Sequence, residues 1–453
     1  MNLMDMDNNL IKNSLDNADL NIAVVGLGKV GLPLALVFAD KELSVIGVDI
    51  NQEVVESLNN GVLPHYEPKV PELLEKCIEN GKFKATTDTT AAAENSSIII
   101  MVVPTLIKEN KEPDITAVEK ASESIGKGLK KGSMVIIEST VPPGTTEGVV
   151  KDILERESGL KSCEDFGLAF CPERVQSPQV VDDITKNYPK IVGGIDPKST
   201  EIASALYSFI NEKGVITVKN PKTAEMEKVV ENTYRDINIA FANELALISG
   251  RLGVDVMEVI DVANSQPFCN ILRPGAGVGG HCIPMDPYYL IDEAKKIGLD
   301  VQLLENSRKI NDYMPKHVVE LVEDGLKEIN KSISKSKIAL LGVSYKENTD
   351  DYRYSPSRDI INYLNKKNAH IKTYDPFVKD VPDLNVEHYN DLKDCVKDVD
   401  CIIIATAHNE FKEMDLNDIR SLTAKDSLFV DGRRVFKPEN VIKAGFILKA
   451  IGL

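Results

Sequence analysis

Cys282 lies in GAGVGGHCIPMDPYYL, residues 275–290, behind a run in which four of six residues are glycine, and Asp286 follows four positions later. Glycine at that density costs folding entropy, so it answers to a special backbone conformation or to a close approach to the main chain. The cysteine has four readings: a small buried hydrophobe, a metal ligand, half of a disulfide, or a nucleophile. As a nucleophile its thiolate would capture an aldehyde, and the thiohemiacetal could lose hydride to give a thioester, with Asp286 as base or activator. Lys228 and Asn232 are four apart and Arg235 three further on, a spacing that puts all three on one helix face, as a solvated edge or as groups reaching into a site. Lys346 and Arg353, in SYKENTDDYRYSP, are two cations in an acidic chain. They belong either to a solvated loop or to an anion site that a diphosphate would fit.

Gly26-Leu27-Gly28-Lys29-Val30-Gly31 is a weak signal alone, but it follows the apolar run NIAVV, opens a helix and is answered by Asp49 at the end of the next apolar run. Such glycines allow a tight turn that brings a helix N-terminus against a pyrophosphate, and a carboxylate at that strand end accepts ribose hydroxyls. Asp49 would repel a 2′-phosphate, so NAD is expected rather than NADP.

The elements that position these groups follow from periodicity. Strands are expected at 21–26, 43–50, 96–104, 132–140 and 165–173, with helices between the first of them, which predicts a parallel, doubly wound sheet. From Thr223 a helix of some 28 residues is expected, with Met226, Val229, Val230, Ile237, Phe241, Leu245 and Ile248 as its core face. A second Rossmann-like unit without GxGxxG begins near 336, with strands at IALLGV, HIKTYDP and DCIIIATAH. The fold class is α/β: two Rossmann-like parallel-sheet domains joined by a central helical domain. The expected boundaries are a polar, disordered extension over 1–20, a dinucleotide-binding domain over 21–215, the helical domain over 216–330 and the second α/β domain over 331–453.

Length and composition bound the function classes. The chain has 453 residues, and 53 Lys plus Arg against 70 Asp plus Glu give a net charge of −17, with no basic excess to neutralise phosphates of a nucleic acid. No apolar run is long enough for a membrane helix, and the start of the chain is neither a signal nor a transit peptide. The seven cysteines (77, 163, 171, 269, 282, 395, 401) form no CxxC pair, and their odd number argues against a disulfide framework and for a reducing, cytoplasmic setting. His281 and Cys282 are adjacent, a poor spacing for two ligands of one tetrahedral zinc, so no metal is expected. Packing and nucleophile remain open for Cys282.

GLGKVGLP, ESTVPPGTT, CPERV, the TAEMEKVVENTYRDINIAFANEL helix, GVGGHCIPMDP and YKENTDDYRYSP stand in one order. Together they resemble the UDP-glucose/GDP-mannose dehydrogenase family over essentially everything after the first 20 residues. The resemblance implies oxidation of a sugar C6 alcohol to the uronate with two NAD+ per UDP-sugar. It implies Cys282 as nucleophile by match to the GGxCxPxD motif, Asp286 as its carboxylate acting through water, and Lys228 and Asn232 as oxyanion donors. Thr140 and Glu173 match residues that hold water near C6. For the cofactor it implies Gly26, Gly28, Lys29, Val30, Gly31, Asp49, Pro104, Thr105 and Thr140. For the substrate it implies Glu173, Arg174, Val175, Lys228, Asn232, Arg235, Arg273, Gly275, Gly279, Lys346 and Arg353, and it implies a homodimer through the central helices, with Arg235 reaching the neighbour's ligand. Lys29 stands where tyrosine is frequent. Ser177 stands where UDP-glucose dehydrogenases carry a second glutamate, so that glutamate's role does not transfer. CPERVQSPQ and NILRPGAGVGGHC are more similar to members acting on UDP-N-acetylhexosamines, above all on UDP-N-acetyl-D-mannosamine.

Overall fold

A computed structural model describes residues 2–64 and 66–453. Its contacts organise two compact units. One comprises the chain up to Glu231 with Tyr288–Gly298, and the other comprises Asn232–Pro287 with Leu299–Leu453. The helical middle of the chain is thus divided between two sheets, because its helices bury their apolar faces on different neighbours.

The first unit holds an eight-stranded sheet in the spatial order Val215–Thr217, Lys190–Gly194, Gly167–Phe170, Met134–Ile137, Ile98–Met101, Asn21–Val25, Ser44–Val48 and Phe83–Thr86. Neighbouring strands run parallel except where Gly167–Phe170 meets Lys190–Gly194 antiparallel. Ile98–Met101, Met134–Ile137 and Gly167–Phe170 are buried at every position, as expected for strands covered on both faces. Leu32, Leu34, Leu36 and Phe38 of the helix Gly31–Asp40 fill one side of this core.

The N-terminal extension is ordered, contrary to the disorder expected from its polar composition. Asp7 caps the helix Asn8–Asp16 by accepting the Leu10 N–H, and Leu3, Ile11 and Leu15 are fully buried. The helix packs on Pro197–Ile210, while Lys198 donates to the Met6 carbonyl and the Leu3 N–H to the Gly132 carbonyl at 2.9 Å. The i, i+4 pair Ile11 and Leu15 is short, but with Leu3 it supplies three anchors, enough to outweigh a polar remainder that faces water.

The second unit holds a six-stranded, all-parallel sheet in the order Glu387–Tyr389, His370–Tyr374, Lys337–Leu341, Cys401–Ile404, Leu428–Asp431 and Ile447–Ala450. The helix Gln302–Glu328 lays Met314, Val318, Val319, Val322 and Leu326 on it.

The long helix runs Pro221–Leu252, longer than expected. Its apolar positions are not all core. Val229 is buried, whereas Met226, Val230, Phe241 and Ile248 are 44%, 43%, 50% and 50% exposed, and Tyr234 and Leu252 extend the same open stripe. Helical spacing identifies an apolar face but not what covers it. Among the described residues no helix is long and apolar enough to cross a membrane.

Candidate active site

In the first unit the glycine turn has the geometry of a phosphate cradle. Gly26 adopts φ +100°, and a Cβ there would lie 2.2 Å from the Val102 carbonyl oxygen. A Cβ on Gly31 would lie 1.8 Å from the Gly26 oxygen, while nothing stands within 4 Å of Gly28, so its backbone is open to a ligand. Lys29 is exposed and Val30 half-buried. The following helix has no side-chain N-cap, which leaves its N-terminus suited to an anion. Asp49 accepts the Leu27 N–H at 3.1 Å and the Asn51 N–H at 2.9 Å, which ties it to the turn while each oxygen keeps a lone pair for a ribose hydroxyl. These residues fit a dinucleotide. Pro104 and Thr105 follow the strand Ile98–Met101, and Ser139, just beyond the strand Met134–Ile137 and next to Thr140, joins the two strand ends by accepting the Val103 N–H at 2.8 Å.

Glu173, just beyond the strand Gly167–Phe170, meets Lys228 of the long helix at 2.7 Å and accepts the Val175 N–H at 3.1 Å. Burial pushes its carboxyl up, but the Lys228 ammonium, the Val175 N–H and Lys190 bring the net pKa below the usual carboxylate value. Thr140 is half-buried. Arg174 is drawn aside: its Nε donates to Glu231 at 2.9 Å and Glu227 stands at 3.6 Å. Ser177 donates to the buried Glu67, which also accepts the Val180 N–H at 3.2 Å, so a carboxylate from another loop stands against that hydroxyl.

In the second unit Cys282 is exposed, and the Asp286 N–H donates to its carbonyl at 2.9 Å, so one turn of chain joins thiol and carboxylate. Asp286 is buried and accepts the Asn232 Nδ2–H at 2.7 Å, and the exposed Arg235 reaches Asn232 Oδ1 at 3.4 Å. The glycine run is explained by protein packing. A Cβ on Gly275 would lie 2.5 Å from Arg433 Nη1, on Gly277 3.1 Å from Pro315 and Pro356, on Gly279 2.7 Å from the Tyr354 oxygen, and on Gly280 2.7 Å from the Tyr345 ring. The Gly275 N–H also donates to Asn243 at 2.9 Å, and Asn243 is held by Asn311.

Lys346 lies in a loop fixed from below. Asp375, at the end of the strand His370–Tyr374, accepts the Val343 and Ser344 N–H groups at 2.8 and 3.0 Å, and the fully buried His408 accepts the Asn348 N–H at 2.9 Å. Arg353 forks onto Asp351. Arg273 stands apart on the surface, paired with exposed Asp261 at 2.8 Å.

Two groups were given no role by the sequence. Arg433 follows the strand Leu428–Asp431, and its guanidinium has no hydrogen-bond or ion-pair partner among the described residues; burial lowers its pKa. His281 sits 3.2 Å from Asp351. A single unpaired Arg among loops carries no sequence periodicity, so only the fold reveals it.

Three domains of the UDP-glucose/GDP-mannose dehydrogenase family match the chain: the NAD binding domain at residues 20–211, the central domain at 222–313 and the UDP binding domain at 339–438. The chain is 39% identical to a UDP-N-acetyl-D-mannosamine dehydrogenase of Pyrococcus horikoshii, over 96% of this chain and 99% of that one. The solved UDP-D-ManNAc dehydrogenase structure from Pyrococcus horikoshii superposes with a TM-score of 0.89 at 37% identity, covering 96% of this chain and 99% of that chain. An NDP-N-acetyl-D-galactosaminuronic acid dehydrogenase from Methanosarcina mazei superposes with a TM-score of 0.85 at 34% identity, covering 97% of both. With all three domains matched in order and relatives this similar along nearly the whole length, the chain belongs to the UDP-glucose/GDP-mannose dehydrogenase family, and NAD is its cofactor.

Proposed function

We propose that the chain oxidises the C6 alcohol of a UDP-N-acetylhexosamine to the uronate, with UDP-N-acetyl-D-mannosamine as the substrate. The observation that carries this reading is the exposed Cys282 one turn before the buried Asp286, whose carboxylate is held by Asn232. NAD+ held by Gly26, Gly28, Gly31 and Asp49 would supply the hydride acceptor, two per sugar for the four-electron oxidation at C6. The chain's own groups do the rest. Cys282 Sγ forms a C–S bond to the C6 aldehyde. Lys228 and Asn232 donate to the oxygen that becomes an oxyanion, where preorganised donors stabilise developing charge most. Glu173, ionised through its pair with Lys228, acts with Thr140 to hold the water that attacks the thioester. The C–S bond then breaks, the thiolate returns to Cys282 and the carboxylate leaves.

The acetamido sugar is supported by the relatives named for UDP-N-acetyl-D-mannosamine, and the Methanosarcina relative keeps the galactosamine epimer as a second reading. A homodimer is supported by the open apolar stripe of the helix Pro221–Leu252, from whose edge Arg235 would reach a neighbour's ligand.

The test is NADH formed per sugar consumed across a panel of UDP-sugars, for wild type and Cys282→Ser. Two NADH with UDP-N-acetylmannosamine and an inactive variant support the reading. One NADH per sugar, or undiminished turnover by the variant, removes the thioester; activity on UDP-glucose alone removes the acetamido substrate.

A further inference from the structure

His281, beside Cys282, has its Nε2 3.2 Å from Asp351 Oδ2, and its ring stands edge-on to Tyr354 at 5.2 Å and to Tyr345 at 6.2 Å between centroids. The Gly280 N–H donates to the Tyr354 oxygen at 3.3 Å. The segment leading to Cys282 is therefore clasped to the loop 345–354 by backbone, by rings and by the polar contact of His281 with Asp351. Asp351 has a second engagement: Arg353 Nε donates to its Oδ1 at 3.0 Å and Nη2 to its Oδ2 at 2.8 Å. The Arg353 N–H adds a bond to Oδ1 at 3.1 Å, and the Asp351 side chain is only 7% exposed. One buried carboxylate thus holds the imidazole next to the thiol and the guanidinium of the neighbouring loop. A side chain whose only task were to fill space between Tyr345 and Tyr354 would have no need of a polar tip aimed at a carboxylate.

We infer that His281 is a positioning residue, which fixes the Cys282 segment on the loop 345–354 through Asp351, so that the nucleophile and the substrate cation Arg353 are aligned by a shared carboxylate. The inference rests on the reading above for the roles of Cys282 and Arg353.

Steady-state kinetics of the full-length enzyme with UDP-N-acetylmannosamine and NAD test it, using His281→Ala, His281→Gln, Asp351→Asn and the double variant His281→Ala/Asp351→Asn, each with its melting temperature. A nucleophile held out of register loses about 10- to 100-fold in kcat, so His281→Ala should fall by that much with the KM for NAD unchanged. His281→Gln, which keeps an N–H donor on a side chain of similar reach, should recover most of the loss. Asp351→Asn should lower kcat and raise the KM for the UDP-sugar, and the double variant should be no worse than Asp351→Asn, because both act through one contact. A His281→Ala kcat within twofold of wild type, a glutamine variant no better than alanine, or an additive double variant would overturn the inference. Where alanine does not fold, glutamine combined with Asp351→Asn closes the same cycle. Cys282→Ser separates the two claims: turnover without the thiol removes the thioester reading, whereas an inactive Cys282→Ser beside an unaffected His281→Ala removes only the clasp.

Discussion

Lys228 and Glu173 form an ion pair of 2.7 Å whose side chains are only 7% and 13% exposed. Breaking such a pair leaves an uncompensated buried charge, a loss of about 3–5 kcal/mol. Lys228→Met is expected to lower the urea midpoint accordingly. It should also lower kcat by about 10²–10³, the cost of one oxyanion donor. Because the Glu173 pKa is depressed, its stabilisation is present above the unfolded carboxyl value of ~4.3 and lost as pH falls through the lower folded value. The stability difference between wild type and variant should therefore shrink in acid.

Asn232 has two tasks in the proposed mechanism, holding Asp286 and donating to the oxyanion. Asn232→Ala is expected to reduce kcat by about 10²–10³ with a smaller change in KM, read from initial rates at saturating NAD. A proportional rise in KM with unchanged kcat would assign Asn232 to ground-state binding instead.

Glu225 gives a pH dependence of opposite sign. It is buried at the start of the long helix and accepts the Gly144 N–H and, at 2.8 Å, the Thr146 N–H of the PPGTT turn. Burial pushes its carboxyl up to about 7 against those donors. A raised folded pKa means stability that is fully present below the unfolded value of ~4.3 and lost as pH rises to the folded one. Thermal midpoints of wild type should fall over that interval, and Glu225→Gln should remove this part of the slope.

The Arg433 guanidinium, without a hydrogen-bond or ion-pair partner among the described residues, predicts a split between stability and affinity. Hydrogen bonds to a charged group contribute about 1.5–3 kcal/mol, so Arg433→Met should weaken UDP binding roughly 10- to 100-fold by calorimetry. The melting temperature should hold or rise, since a cation that burial disfavours is removed.

The N-terminal helix is expected to contribute to stability. Leu15→Ala should cost about 2–5 kcal/mol, as for other buried leucines. Deleting residues 1–19 should lower the melting temperature of the whole first unit.

What the sequence made legible were features that local periodicity or a fixed spacing encodes. The glycine turn with Asp49, five of the strands between Asn21 and Phe170 and the long helix came from alternation and turn chemistry, while the edge strand Phe83–Thr86 was missed. What it hid depends on residues distant in sequence. Ile11 and Leu15 look like incidental apolar positions until the helix Pro197–Ile210 covers them. Met226, Val230, Phe241 and Ile248 match a core stripe yet lie open. The Lys190–Gly194 strand is antiparallel to its neighbour, which no strand-helix alternation announces. Asp351 reads as one acid in an acidic loop, and His281 and Arg353, which it engages, lie 70 residues upstream and two downstream.

The glycine run before Cys282 has a consequence for engineering. Each of its four glycines is spaced against a side chain or carbonyl from later in the chain: Arg433, Pro315, Pro356, Tyr354 and Tyr345. Grafting the C-terminal sheet of another family member onto this chain would bring a foreign 345–356 loop against an unchanged 275–280 segment. The two segments form a lock and its key cut from separate parts of the gene, so a well-packed chimera must transplant both.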